Sequence, residues 1–351
     1  MKRKIERFNP FVYTIRSLLG MFVIVFISIL SLIIISFLLS KTPLRTIYYF
    51  FYGPFSSLYT FGNMINQAVP LMIGGLGVSL AFRAGNMNIG GEGQVYVGAF
   101  IATIVAISLK AFGEIGVVLS IVLAMVGSGL IAGFSGYLRS KWNTNELITT
   151  FLLSNALILI VNYLISGPFV DPVTNLISTR QIPEIAQLDY ILPPSSLNTS
   201  LVIALASVFI IHALMHRSKT GFELRMYGNN NKFAMYAGID SRYYQIMPMF
   251  VSGAMYGLSG AVAIFGTYHA MIKDFSVGLG WNALAVALIA RYRPFAIIPA
   301  ALFFAYIDSG AHSAMLYSDV TFEISSIVQA TVFFLVSSVT LQRLGLGKRR
   351  V

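Results

Sequence analysis

The chain has 351 residues, of which 56% are hydrophobic and 11% charged, with a formal net charge of +11 and no cysteine. A soluble domain carries about 25% charged residues, so the composition excludes an ordinary soluble enzyme and indicates an integral membrane protein. Without cysteine there is no disulfide framework, thiolate nucleophile or cysteine-ligated metal, and the excess positive charge reads as basic cytoplasmic loops rather than a nucleic-acid surface.

The chain opens with the basic stretch MKRKIERFNPFVYTIRSLLG, and an apolar run at 18–40 follows. That run is too long for a signal-peptide core and long enough to span the roughly 30 Å hydrocarbon layer. It is expected to be a retained first transmembrane helix. Nine further apolar segments are expected as spans at 58–82, 94–109, 114–138, 147–166, 199–216, 244–267, 276–290, 295–311 and 322–342. Starting in the cytoplasm and alternating sides places nineteen of the 24 Lys and Arg residues inside, a strong positive-inside bias. The expectation is an all-α membrane protein of about ten helices with both termini cytoplasmic in the inner membrane. It is expected to form a single transmembrane domain, with a first repeat at about 58–166 and a second at about 244–342.

The stretch AGNMNIGGEGQ, residues 84–94, sets three amides, one carboxylate and four glycines among apolar spans. Asn88 suits the cap of a helix beginning near Ile89, and Glu92 suits its first turn. Capping leaves Asn86, Asn88 and Gln94 together unexplained, and a carboxylate at membrane depth usually faces a pathway or cavity. The stretch is therefore expected to be irregular backbone lining a translocation path. In KWNTNELITT, Thr144 or Asn145 is placed to cap the fifth span, with Glu146 in its first turn. Asn155 and Asn162 lie further along the same span.

The external loop 167–198 carries the turn signals GPFVDP and ILPPSS around a possible short helix. His212 and His216 have the i, i+4 spacing of a zinc helix, but Ala213 stands where the metalloprotease pattern needs glutamate, so no metal site is expected. The loop 217–243 is cationic and able to form a short helix. Gly278-x-Gly280 echoes Gly91-x-Gly93, each before a short segment of opposite direction, which suggests an inverted repeat with broken helices. Trp281 and Asn282 beside the second pair suit a sugar or a nucleobase. No P-loop, nucleophile elbow or His-rich cluster is present, so no catalytic residues are assigned.

Several of these stretches, in the same order, resemble the ABC-transporter permeases for simple sugars and nucleosides. AFRAGNMNIGGEGQ is similar to the signature after that family's second span, and NELITTFLLSNALILIVNYLISGP to its fifth span. GFELRMYGNNNKFAMYAGI resembles its cytoplasmic segment, and VSGAMYGLSGAVAIFGTY with GLGWNALAVALIARYRP its closing half. The resemblance covers roughly 55–340. It implies a type II importer-like permease subunit whose solute is a nucleoside or, second, a simple sugar. Its implied partners are a related second permease, cytoplasmic ATP-binding subunits and an extracytoplasmic solute-binding lipoprotein. ATP and Mg²⁺ would be bound by the ATPase, with no cofactor on this chain. The expected pathway residues are Asn86, Asn88, Glu92, Gln94, Asn145, Glu146, Asn155, Trp281 and Asn282. ATPase coupling falls to Phe222, Arg225, Tyr227, Asn229 and Phe233, since interface anchors are typically aromatic or Arg. From a different class, an ion-coupled secondary transporter would need intramembrane titratable groups, for which Glu92 and Asp308 are the candidates.

Overall fold

A computed structural model describes residues 29–334 apart from 31, 35, 39, 322, 325, 332 and 333. Eleven α-helices lie wholly within the described residues: α1 Pro43–Tyr52, α2 Leu58–Arg83, α3 Gly91–Ser108, α4 Glu114–Trp142, α5 Glu146–Ser166, α6 Ser200–Arg217, α7 Lys219–Asn229, α8 Asn231–Tyr236, α9 Ser241–Ala263, α10 Leu279–Ile289 and α11 Pro294–Tyr317; described residues in 29–38 and 323–334 are helical as well. The residues divide into two compact units, 55–306 and the flanking segments up to 54 and from 307.

Seven of the described helices are long and apolar enough to cross a membrane: α2 to α6, α9 with its continuation to Tyr268, and α11. The expected first span lies largely outside the described residues, and of the last span only eight described residues, in 323–331, and residue 334 are helical. The segment at 276–290 departs from expectation. Its helix has only 11 residues, about 16 Å at 1.5 Å per residue, too short to cross alone. Positive φ at Asp274, Val277 and Gly278 keeps the preceding backbone out of the helical region.

Within the unit 55–306, hydrogen bonds define two ends. At one, Arg83 donates to the carbonyls of Arg291 (3.2 Å) and Tyr292 (3.4 Å). At the other, the loop 167–198 is tied to the segment after α9: Ile182 N donates to His269 O (2.8 Å), Thr179 N to Met271 O (3.0 Å) and Leu188 N to Phe265 O (2.9 Å). The stretch 269–291 therefore passes from one end to the other, first as loop and then as α10. The 167–198 loop contains a single 3-10 turn at Glu184–Ala186.

Burial orders the bundle. In α2 and α9, 78% and 89% of the apolar window is buried, against 22% in α5, so α2 and α9 are central and α5 lies at the margin. The central helices approach closely because small residues face each other. A Cβ on Gly77 would lie 2.8 Å from Ser252 O, and one on Gly260 2.2 Å from Val95 O. Helix ends are closed by neighbouring side chains: Ser57 and Thr60 form a capping box on α2, while Ser218, Asn230 and Asp240 cap α7, α8 and α9.

In the other unit, the Asp319 carboxylate accepts from Ser40 Oγ (2.6 Å), Lys41 N (2.6 Å) and Thr42 Oγ1 (3.0 Å). The Ser40 hydroxyl, with the Lys41 amide and Thr42, holds that carboxyl well below the usual carboxylate range. Tyr49 stacks on Tyr317 with centroids 4.6 Å apart.

Candidate functional site, where two broken helices meet

α3 and α10 both begin inside the bundle, and their N-termini face each other. A Cβ on Gly280 would lie 2.2 Å from Glu92 N and 2.5 Å from Gly91 C, so backbone rests on backbone. Each helix start carries about half a positive charge and unpaired N–H groups, and neither has a capping side chain of its own. Other elements supply the acceptors. For α3 they come from α5: Thr150 Oγ1 accepts from Ile89 N (3.4 Å) and Ser154 Oγ from Gly93 N (2.7 Å). For α10 they come from α3: Glu92 Oε1 accepts from Ser276 Oγ (2.5 Å) and Gly278 N (3.0 Å), and Oε2 from Gly280 N (2.7 Å). One carboxylate thus sits in the first turn of α3 and caps α10, opposing the positive ends of both. A charge-assisted hydrogen bond of this kind is worth roughly 1.5–3 kcal/mol.

Tyr256 of α9 is fully buried behind the junction. Its ring lies against Gly91, where a Cβ would be 2.2 Å from Cζ, and its hydroxyl donates to Gly280 O (3.2 Å). A second tie lies beyond it, where Tyr96 OH donates to Asn162 Oδ1 (2.5 Å), Asn162 Nδ2 to Asp274 Oδ1 (2.9 Å) and Asp274 N to Tyr96 OH (2.6 Å).

The three amides of 84–94 are buried. Asn88 and Gln94 form a reciprocal pair, Asn88 Nδ2 to Gln94 Oε1 (2.8 Å) and Gln94 Nε2 to Asn88 Oδ1 (2.9 Å). Asn88 also donates to Ser252 Oγ (3.0 Å) and accepts from Gly90 N (3.1 Å), which fills its side-chain capacity. Asn86 Nδ2 donates to Tyr244 O (2.7 Å) and its Oδ1 accepts from Arg139 (2.8 Å). In this conformation these amides are engaged with protein. The helix starts at Gly91 with Gly90 as N-cap, two residues later than expected, because Asn88 turns back onto Gly90 N instead of reaching a first-turn amide.

Asn145 is the N-cap of α5 and accepts from Leu147 N (2.9 Å). Glu146 pairs with Arg139 at 2.7 Å, and Arg139 also reaches Gly85 O (3.1 Å). Both therefore stand at the Arg83 end, away from the α3–α10 junction. Three other expected pathway residues lie outside this buried polar network and are exposed or half-buried. Trp281 is 40% exposed and meets Phe151 edge-on with centroids 6.3 Å apart. Asn155, one turn beyond Phe151, is exposed and donates to Phe151 O (2.8 Å). Asn282 is half-buried beside Trp281.

At the Arg83 end, α7 presses Gly228 against the Arg83 carbonyl, leaving no room for a Cβ. Phe222, Asn229 and Phe233 are exposed, and Arg225 is half-buried with an Nη1 that has no partner. Tyr227 instead turns inward, stacking on Tyr244 and reaching Ser241 Oγ at 3.2 Å. Tyr236, 93% exposed, is an aromatic that sequence reasoning passed over. Tyr256, Ser154 and Ser276 were also missed. Their only signal is a hydroxyl among small residues, which is common in packed membrane helices. No cluster of three or more metal-ligating side chains occurs among the described residues.

Residues 60–337 match the family described as branched-chain amino acid transport system / permease component. The chain belongs to this family. It is a permease subunit of an ABC importer, a transport component rather than an enzyme, and membership implies an ATPase and a solute-binding protein as partners. This permease is 30% identical to a probable riboflavin import permease protein of Treponema pallidum, over 89% of this chain and 82% of the relative. It is 32% identical to a guanosine ABC transporter permease protein of Bacillus subtilis, over 84% and 86%. A glucose ABC transporter permease protein of Haloferax volcanii is 29% identical over 83% and 80%. No solved structure matches the permease at a significant level.

Proposed function

We propose that this permease forms the translocation path for a nucleoside, with Trp281, Asn282 and Asn155 on the solute side and the 84–94 stretch as the wall behind them. The observation that carries the reading is the exposed Trp281 ring, which meets Phe151 edge-on at 6.3 Å, with the exposed Asn155 one turn beyond Phe151 on α5. An aromatic edge with a neighbouring amide suits a flat base bearing hydroxyls. The names of two relatives point the same way, since guanosine and riboflavin both join a flat heteroaromatic ring to a hydroxylated chain. The glucose relative supports a simple sugar as the second reading.

In this proposal Asn86, Asn88, Gln94, Asn145 and Glu146 shape the path without touching solute in the conformation described. The helix pair α7–α8 docks on the ATPase through Phe222, Arg225, Asn229 and Phe233, with Tyr227 bracing it from within. ATP and Mg²⁺ belong to that partner, and a related but distinct permease completes the path. Ten spans in one permease domain, in the cytoplasmic membrane with both termini inside, accord with the charge distribution, and the short helices α3 and α10, each led by Gly-x-Gly, support an inverted repeat.

Uptake of labelled guanosine by the assembled importer tests the solute class. Trp281→Ala should cut uptake severely at normal complex levels, with excess guanosine but not glucose competing in the parent. Competition by glucose alone would transfer the assignment to sugars. Reporters fused in 171–196 and 226–238 should report outside and inside respectively, and a shared side would sink the topology.

A further inference from the structure

We propose that Glu92 is a positioning residue that acts through Trp281, capping α10 from α3 and so setting where the Trp281 ring stands. The functional consequence rests on the reading of Trp281 as a pathway residue, while the positioning itself does not.

The first turn of α10 has no capping side chain of its own. Its N-cap is Gly278, at φ +83 with no side chain, and nothing lies within 4 Å of where a Cβ would be. The segment before it carries positive φ at Asp274 and Val277, conformations that non-glycine residues adopt at a cost. What holds this turn is the Glu92 carboxylate. It takes the Ser276 hydroxyl, the Gly278 amide and the Gly280 amide, three donors within five residues. Trp281 follows Gly280 directly: the last of these bonds fixes the Leu279–Gly280 peptide, and the Tyr256 hydroxyl on Gly280 O holds the next one, which leads into Trp281. The Gly280 Cα against the Glu92 backbone sets the separation, and Tyr256 closes the back. The free side of the turn is where Trp281 meets Phe151. A carboxylate suits this task because it only accepts. A glutamine would turn an N–H₂ toward N–H donors at one of its two positions.

The chain has two tryptophans, so Trp142→Phe leaves Trp281 as the sole indole and its emission reports the ring's surroundings directly. The test uses the full chain in liposomes. In that background Glu92→Gln should red-shift Trp281 emission and increase its quenching by acrylamide, with helical content unchanged. Glu92→Asp should fall between parent and Gln, and Ser276→Ala should give a smaller shift. Emission and quenching equal to the parent in both Glu92→Gln and Ser276→Ala would overturn the proposal. If Glu92→Gln does not insert, Ser276→Ala alone decides, a shift supporting and its absence overturning. Uptake separates the two readings. Normal guanosine transport by Trp281→Ala, alongside a Glu92-dependent shift, removes the pathway assignment and leaves the positioning in place.

Discussion

Gly280 N donates to Glu92 Oε2 at 2.7 Å, joining residues 188 positions apart at the point where two helix N-termini abut. The contact demands the absence of a side chain. A Cβ on Gly280 would meet main-chain atoms, which cannot swing aside as a side chain can. Overpacking costs typically about 1–3 kcal/mol, so Gly280→Ala should lower the thermal midpoint of the purified permease and its uptake together. Gly133→Ala, in α4 where a Cβ would make only ordinary contact with Phe250 at 3.4 Å, should leave the midpoint and uptake near the parent values. Equal behaviour of the two variants in a thermal-shift assay would contradict the close approach.

The Asn88–Gln94 pair gives a second expectation. Removing one partner strands the other in a buried site, at about 1–3 kcal/mol for the unmet group. Each single alanine substitution should therefore cut stability and uptake. The double substitution should cost less than the sum, because it removes both polar groups at once. A double-mutant cycle on thermal midpoints measures the coupling, and additivity would mean that the two amides act independently.

The exposed side of α7–α8 gives a third. Arg225→Glu should leave the permease inserted and complexed but uncouple ATP hydrolysis from transport, since it reverses the charge of a half-buried side chain whose Nη1 lacks a hydrogen-bond partner. Tyr227→Phe removes only the Ser241 contact inside the unit and should change stability by about 1 kcal/mol or less without uncoupling. Solute-stimulated ATPase activity in proteoliposomes distinguishes them. Unchanged coupling in Arg225→Glu would remove this surface from the ATPase interface.

His269 gives a pH expectation. It ends the π-turn after α9 at φ 55 and stands 3.3 Å from Tyr190 OH in the tied loop. Burial pushes its pKa below the ordinary 6.5, so the folded state favours the neutral ring. Its contribution is complete above the unfolded pKa and fades as pH falls through the lower folded value. Protection factors at Ile182 and Leu188, taken after the intrinsic pH dependence of exchange is divided out, should therefore fall on acidification below the ordinary value of 6.5. His269→Gln should abolish that acid step. A step that persists in the variant would assign it to another group.

Much of this protein was determined by sequence alone. Long apolar runs broken by basic loops leave few alternatives in lipid, where backbone groups must be satisfied within the segment. The spans at α2, α4, α5, α6 and α9 accordingly lie within a few residues of their expected limits. Local capping was legible at Asn145, which bonds an amide two residues away, and not at Asn88, where Gly90 is the N-cap. What tertiary structure decided is the use of the polar residues. Whether Asn88 meets a passing solute or Gln94, and whether Glu92 serves its own helix or another, depends on elements far off in sequence that pack beside them. α10 shows the same limit. Its apolar run reads as a span, yet positive φ before Gly280 and a carboxylate from α3 begin the helix part-way through the bundle. Hydrophobicity selects which residues enter the membrane, and only packing selects the partner each buried polar group finds there.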